Sequence, residues 1–227
     1  MCFSATASFT AGAGLLLVGS VALTKAKTTP QYVLACIPIL FAVQQTMEGF
    51  LWLTLSHATY APWTDLTMYV FLAFAQTVWP ILVPLSMLLF EKDPLRKKIL
   101  FGLLATGVLA ALYLGYSLLN FKASARIEEH HIRYSLEFPI QSKLLRGIPY
   151  MLATAISPFF SSHKLLRLLG WTLVISYVVT AIFYTNYLTS VWCFFGSILS
   201  MLILFIITKQ NSENLKPITV PKFFKKP

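Results

Sequence analysis

Seven apolar runs, most of them long enough to cross a lipid bilayer, constrain this chain more than any other feature. They cover residues 5–24, 32–56, 66–90, 99–119, 147–162, 168–187 and 189–208. A transmembrane helix needs about 20 apolar residues to cross a hydrocarbon core about 30 Å thick. Only one acidic or basic side chain, that of Glu48, lies inside any of the runs. The pattern predicts an all-α integral membrane protein with a bundle of about seven transmembrane helices in residues 1–208.

The composition excludes the other common classes of protein. Charged residues make up 11% of the chain, whereas soluble domains carry about 25%. Three cysteines in 227 residues are too few for a disulfide framework. The low charge and the 18 phenylalanines exclude intrinsic disorder. Most of the surface is therefore expected to face lipid.

The net charge of +10 is explained by where the basic residues lie. Thirteen of the 18 Lys and Arg residues follow the first, third and fifth runs or lie in the basic tail at 209–227, and five lie in one long loop at about 120–146. Cytoplasmic loops carry an excess of Lys and Arg. We therefore expect the N-terminus outside and the C-terminus in the cytoplasm. The bilayer is the expected partner, and no nucleic-acid partner is needed to explain the charge.

The long outer loop contains an alternating segment. Ile132, Tyr134, Leu136 and Phe138 alternate with polar residues, which is the period of a β-strand. The segment predicts a small external β-hairpin or an interfacial flap.

Glu48 is the most informative single residue in the membrane region. A carboxylate placed in lipid costs at least about 2.5 kcal/mol unless it is protonated or paired. Gln44, Gln45 and Trp52 lie at i−4, i−3 and i+4 from Glu48, on one helix face. This stripe fits an interhelical hydrogen-bond network. It also fits a functional site, in which Glu48 binds a cation or exchanges a proton.

Prolines in the third run point to an internal cavity. Pro80 and Pro84 remove hydrogen-bond donors and free the carbonyls of Gln76 and Pro80. Freed carbonyls in a membrane must be satisfied by neighbours or line a cavity. We therefore predict an outward-facing polar pocket centred on Glu48. Its predicted residues are Glu48, Gln44, Gln45, Trp52, Gln76, Trp79, Tyr184 and Trp192.

A metal site is a second hypothesis for the outer half of the bundle. Cys2, His131, Glu48 and Cys193 are all placed near the outer surface and would form an acceptable zinc ligand set. No Cys-x-x-Cys or His-x-x-x-His spacing accompanies them. If Met1 is removed, Cys2 could instead act as an N-terminal nucleophile.

Four motifs carry a resemblance to a known family. They are the opening Met-Cys-Phe-Ser-Ala-Thr-Ala-Ser-Phe, Gln44-Gln45-x-x-Glu48-Gly49-x-x-Trp52, Trp79-Pro80, and Ser190-Val191-Trp192-Cys193-Phe194-Phe195. The chain resembles an uncharacterised family of bacterial multi-pass membrane proteins that begin Met-Cys-Phe-Ser-Ala and are known as a domain of unknown function. The resemblance implies a location in the bacterial inner membrane and brings no established activity.

Three functions remain open at this point. The first is binding or transport of a small polar solute, cation or proton at Glu48. The second is an outward-facing membrane hydrolase that uses a metal or Cys2, and the third is a sensor with a protein partner. A chain this short is expected to form a homo-oligomer if it gates a pore.

Overall fold

The computed structural model describes residues 4–140 and 142–214, without the side chains of residues 143, 144, 193, 194, 213 and 214. Its helices and strands are α1 (Ala5–Lys25), α2 (Thr29–Ser56), α3 (Thr64–Ala73), α4 (Trp79–Phe90), α5 (Pro94–Asn120), β1 (Ala123–Glu128), β2 (His131–Leu136), α6 (Lys143–Met151), α7 (Lys164–Phe183), α8 (Leu188–Phe194) and α9 (Gly196–Asn214). Short 3-10 turns cover Ala58–Trp63, Ser157–Phe160 and Thr185–Tyr187, and π-helical turns cover Phe74–Val78 and Leu152–Ile156.

The prediction of an all-α membrane bundle is confirmed. Six helical stretches are long and apolar enough to cross a membrane. Large apolar side chains cover the outside of these helices, and those of Leu17, Leu119 and Phe183 are 70%, 85% and 73% exposed. An apolar surface of this extent needs lipid or another protein to cover it. The chain is a multi-pass membrane protein.

The fifth predicted run makes the seventh crossing as a broken helix. It consists of α6, the π turn Leu152–Ile156 and the 3-10 turn Ser157–Phe160. Just before it, the backbone N–H of Ile140 donates to Tyr113 Oη near the end of α5. Just after it, the carbonyl of Ser161 accepts from Arg96 near the start of α5. Residues 96 and 113 of α5 lie roughly 25 Å apart at 1.5 Å per residue, so this segment runs the length of the bundle.

The two ends of the bundle differ in their charge. We call the end that carries β1 and β2 the hairpin side and the opposite end the basic side. On the basic side, Asn211 Nδ2 donates to the carbonyl of Lys25 at 2.6 Å, which ties the end of α9 to the end of α1. The described Lys and Arg residues on the basic side are Lys25, Lys27, Lys92, Arg96, Lys97, Lys98, Lys164, Arg167 and Lys209. Those on the hairpin side are Lys122, Arg126, Arg133, Lys143 and Arg146.

Glu91 joins two connections on the basic side. Its side chain is 2% exposed, and its carboxylate accepts hydrogen bonds from the backbone N–H and the hydroxyl of Ser162 at 2.6 and 2.8 Å. The backbone N–H groups of Lys92 and Asp93 also donate to it. Burial raises the pKa of Glu91, but the hydrogen bonds outweigh burial and lower that pKa to about 2.

The hairpin packs onto the ends of the helices. β1 and β2 pair in antiparallel register from Ala123 opposite Leu136 to Glu128 opposite His131. Ile132 of β2 is fully buried among side chains of α2, α3 and α5. The hairpin therefore closes part of the bundle end and is held there by apolar packing.

α5 approaches α4 closely at one glycine. A Cβ atom added to Gly107 would collide with the carbonyl oxygen of Pro80 and lie 3.0 Å from Cβ of Ala153. Gly102, on the same helix, has nothing within 4 Å of the equivalent position. Small residues let membrane helices approach in this way.

Candidate functional site

Glu48 is completely buried and joins three elements of the fold. Its side chain, on α2, is 0% exposed. Its Oε1 accepts a 2.6 Å hydrogen bond from Ser190 Oγ on α8 and a 3.4 Å hydrogen bond from Tyr134 Oη on β2. Because a buried carboxyl group is stable only when it is hydrogen-bonded or paired, these contacts also hold α8 and the hairpin to α2.

The two glutamines beside Glu48 have different surroundings. Trp79 Nε1 donates a 2.9 Å hydrogen bond to Gln44 Oε1, and the Trp79 ring stacks on Phe41 with centroids 3.9 Å apart. The buried amide of Gln45 has no hydrogen-bond partner among the residues that the structure describes, and neither does Trp52 Nε1. Gln44 thus fixes the position of Trp79.

His131 and Tyr184 meet beneath the hairpin. The His131 ring stacks on Tyr187 with centroids 4.4 Å apart and meets the edge of Tyr184 at 5.4 Å. Burial lowers the pKa of His131, and the negative charge of Glu129 opposes that shift. Tyr134, on the same strand, stacks on Phe71 at 4.9 Å. This aromatic cluster packs the hairpin side of the bundle.

Two π turns share one relationship to proline. Phe74–Val78 ends two residues before Pro80, and Leu152–Ile156 ends two residues before Pro158. In π geometry a carbonyl pairs with the N–H five residues later. A proline at that position has no N–H to donate. Each turn therefore leaves one carbonyl that needs another donor.

Side-chain hydroxyls donate to both of these carbonyls. Tyr150 Oη donates to the carbonyl of Ala75, five residues before Pro80, at 2.8 Å. Ser157 Oγ donates at 2.6 Å to the carbonyl of Ala153, five residues before the second proline. In a regular helix, Pro80 would leave the carbonyl of Gln76, four residues earlier, without its donor, as the sequence predicts. In the π turn, the carbonyl without a backbone donor is instead that of Ala75, five residues before Pro80. The hydrogen bond from Tyr150 ties α6 to the π turn before α4.

A cavity of about 360 Å³ lies between α2 and α4–α9, beside both π turns. Small-molecule sites range from about 300 to 1,000 Å³. The middle of the cavity is lined by polar and aromatic side chains from α7 and from the two helical segments that contain the π turns. These side chains are those of Gln76, Trp79, Tyr150, Thr154 and Tyr177. Among the described residues, the amide of Gln76 makes no hydrogen bond.

Among the residues that the structure describes, Arg146 is the one charged residue that lines the cavity. It lies on α6, at the end of the cavity nearest the hairpin side. Phe138, Thr185 and Thr189 line the same end of the cavity. The Arg146 guanidinium carbon is 3.8 Å from the centroid of the Phe138 ring. No carboxylate lies within salt-bridge distance of Arg146 in the described part of the chain.

The structure separates the predicted pocket residues into two groups. Gln76, Trp79 and Trp192 line the cavity, and Gln44 supports Trp79 from behind. The other four are not among the lining residues and are Glu48, Gln45, Trp52 and Tyr184. The sequence does not single out Arg146, because it stands among the other charges of the outer loop at about 120–146. Nor does the sequence single out Tyr150, although the prolines at 80 and 158 give a signal for the π turns that Tyr150 supports.

The predicted zinc ligands are only partly described. Cys2 and the side chain of Cys193 lie outside the described residues. Within residues 4–140 and 142–214, no group of three or more His, Cys, Asp or Glu residues is placed to hold a metal ion. The metal site with His131 and Glu48 stays a prediction, as does the nucleophilic role of Cys2.

Comparison with known proteins identifies the family. Residues 1–217 match a family of unknown function, DUF6629. The chain belongs to this family. It matches no curated protein and no solved structure. The match to DUF6629 covers every helix and strand described above, and the family's function must be inferred from the site itself.

Proposed function

We propose that this member of DUF6629 binds a small molecule in the cavity between α2 and α4–α9. The observation that carries the proposal is that a cavity of about 360 Å³, large enough for a ligand, is lined by side chains of α2 and α4–α9. Its deeper wall is formed by buried side chains of four different helices, including those of Ile37, Val83, Leu169 and Ile203. The two π turns beside it support the proposal, because π-helical turns occur frequently at functional sites.

The proposed ligand enters from outside the cell. Nine described Lys and Arg residues lie on the basic side and five on the hairpin side. The excess of positive charge marks the cytoplasmic side, so the hairpin side, where Arg146 lines the cavity, faces outward. We propose a bacterial inner membrane as the location, with the N-terminus outside.

This orientation has a direct test. Single cysteines are introduced at Ser124 on the exposed edge of β1 or at Lys97 on the basic side, in a chain without native cysteines. A membrane-impermeant maleimide added to intact cells is expected to label position 124 and not position 97. The reverse pattern overturns the orientation, and labelling of both after lysis shows that both sites react.

Binding is the function that the cavity lining supports best. Its described lining contains one cation and no carboxylate, whereas Glu48 is held by Ser190 and Tyr134. Transport of a cation or proton through Glu48 stays a hypothesis, as do the hydrolase and sensor functions and the homo-oligomer.

Ligand binding is tested with the tryptophans of the cavity. Trp79 and Trp192 line it, whereas Trp63 and Trp171 are exposed on the surface. In a W63F/W171F background, 12-bromododecanol is expected to quench the fluorescence of Trp79 and Trp192 saturably and to leave that of Trp52, because bromine quenches tryptophans that it contacts. Saturation distinguishes a site from partition into the detergent micelle.

Two substitutions on one helix provide the matched comparison. Leu173→Phe fills part of the cavity and is expected to weaken the quenching at least threefold. Leu168→Phe, on the exposed face of α7, is expected to leave it unchanged. Unsaturable quenching that is equal in all three proteins would overturn the proposed binding function.

A further inference from the structure

Arg146 places a positive charge at the end of the cavity nearest the hairpin side. Its side chain is partly buried and lies over the Phe138 ring. Glu128 of the nearby hairpin is already paired with Arg126 and Arg133 at 2.6 and 3.2 Å, and among the described residues neither Glu129 in the hairpin turn nor Glu137 beyond β2 forms a salt bridge with Arg146. A partly buried cation that has no described anionic partner is able to bind an anion, which would compensate its lost hydration. The guanidinium group binds carboxylate and phosphate oxygens in a bidentate manner.

Beyond Arg146 and the polar side chains at its middle, the deepest part of the cavity is apolar. The side chains that line this deeper part are those of Ile37, Val83, Leu169, Leu173, Leu199 and Ile203. Along α7 the lining extends from Leu169 to Tyr177, which is about 12 Å at 1.5 Å per residue. This part of the cavity fits a slender apolar chain better than a hydrated solute, because a polar solute would leave its hydrogen-bonding groups unsatisfied there.

We propose that the ligand is a single-chain amphiphile with an anionic oxygen headgroup. The carboxylate or phosphate binds Arg146, with the Thr189 hydroxyl at the same end of the cavity, and the apolar chain extends toward Ile203. This inference rests on the proposed binding function. It makes a cationic ligand unfavourable in this cavity, because Arg146 would repel it.

The test compares headgroups on one chain length. In the W63F/W171F background, quenching by 12-bromododecanoate is measured beside quenching by 12-bromododecanol at the same detergent concentration. The carboxylate is expected to bind at least about tenfold tighter than the alcohol, because its charge-assisted hydrogen bond to Arg146 contributes about that much affinity. Arg146→Gln is expected to abolish that difference and Arg146→Lys to reduce it. The matched control Arg126→Gln, at an exposed arginine of the same side, is expected to keep it.

A competition experiment distinguishes an anionic headgroup that carries an apolar chain from a free anion. Dodecyl phosphate is expected to displace 12-bromododecanoate, whereas inorganic phosphate at the same concentration is expected not to, since it lacks the chain. Displacement by inorganic phosphate alone would overturn the amphiphile in favour of a free anion.

The outcomes distinguish this inference from the proposed function. If the alcohol and the carboxylate bind equally and saturably in the wild type, and Arg146→Gln changes neither, the cavity binds ligands but the anionic headgroup is wrong. If neither probe gives saturable quenching, the binding function itself fails and the inference fails with it.

Discussion

Ser190 Oγ on α8 donates a 2.6 Å hydrogen bond to Glu48 Oε1 on α2, across 142 residues of chain. Both side chains are 0% exposed, so water cannot replace the donor if it is removed. The pair lies outside the cavity lining and joins the last part of the bundle to its centre. Glu48 therefore contributes to the structure through this contact, whatever further role it has.

Ser190→Ala is expected to destabilise the protein by about 1–3 kcal/mol, because it removes a 2.6 Å hydrogen bond from a buried carboxyl group. Thermal unfolding in detergent measures the effect. Ser135→Ala, at an exposed serine of β2, is the control and is expected to change the melting temperature little. Equal melting temperatures for both variants would show that the Glu48 contact contributes nothing to stability.

Gly107→Ala is expected to destabilise the protein by about 1–3 kcal/mol or more, the usual effect of overpacking. The added Cβ atom collides with the backbone carbonyl of Pro80, which cannot move without shifting α4. Gly102→Ala, on the same helix with open space around it, is expected to be neutral or to stabilise by up to about 1 kcal/mol. The same thermal unfolding assay compares the two, and a harmless alanine at position 107 would contradict the close approach of α4 and α5.

Tyr150→Phe is expected to destabilise the protein by about 1–3 kcal/mol, because the carbonyl of Ala75 loses its hydroxyl donor. Pro80→Ala restores a backbone N–H at the position that a π turn would use for that carbonyl. The double variant is therefore expected to be more stable than the sum of the two single effects predicts. Strict additivity of the three melting temperatures would argue against this account of the π turn. Tyr32→Phe, at an exposed tyrosine, controls for loss of a hydroxyl.

The pH dependence of stability is expected to depend on Glu91. Its pKa is lowered from 4.5 to about 2 in the folded protein, so the folded state binds the proton more weakly than the unfolded state. The resulting stabilisation, on the order of 3 kcal/mol, is fully present above pH 4.5 and is lost as the pH falls toward 2. The melting temperature of the wild type should fall over this range, and that of Glu91→Gln should fall less.

Glu137→Gln, at an exposed glutamate beyond β2, is the control for this pH series and is expected to follow the wild type. A Glu91→Gln profile that parallels the wild type between pH 5 and pH 2.5 would show that other carboxyl groups account for the loss of stability.

Much of the fold follows from local sequence patterns. An apolar run of about 20 residues forms a helix in lipid because a helix satisfies all its backbone hydrogen bonds within one segment. Six of the predicted runs coincide with helices long enough to cross a membrane. The fifth run was harder to predict. Its helix is interrupted by a π turn and a 3-10 turn, and only its contacts with both ends of α5 show that it crosses the bundle.

The sequence by itself determined the membrane class, the positions of the helices and the alternating segment of β2, because length, apolarity and period are local properties. Tertiary structure alone decided which polar side chains share a site. Glu48 on α2 and Trp79 on α4 are both predicted pocket residues, yet Glu48 lies in a contact with α8 while Trp79 lines the cavity. Arg146 changed from a loop charge to the charged residue of that cavity for the same reason: helix rotation and packing, which depend on the whole bundle, decide which way each side chain faces.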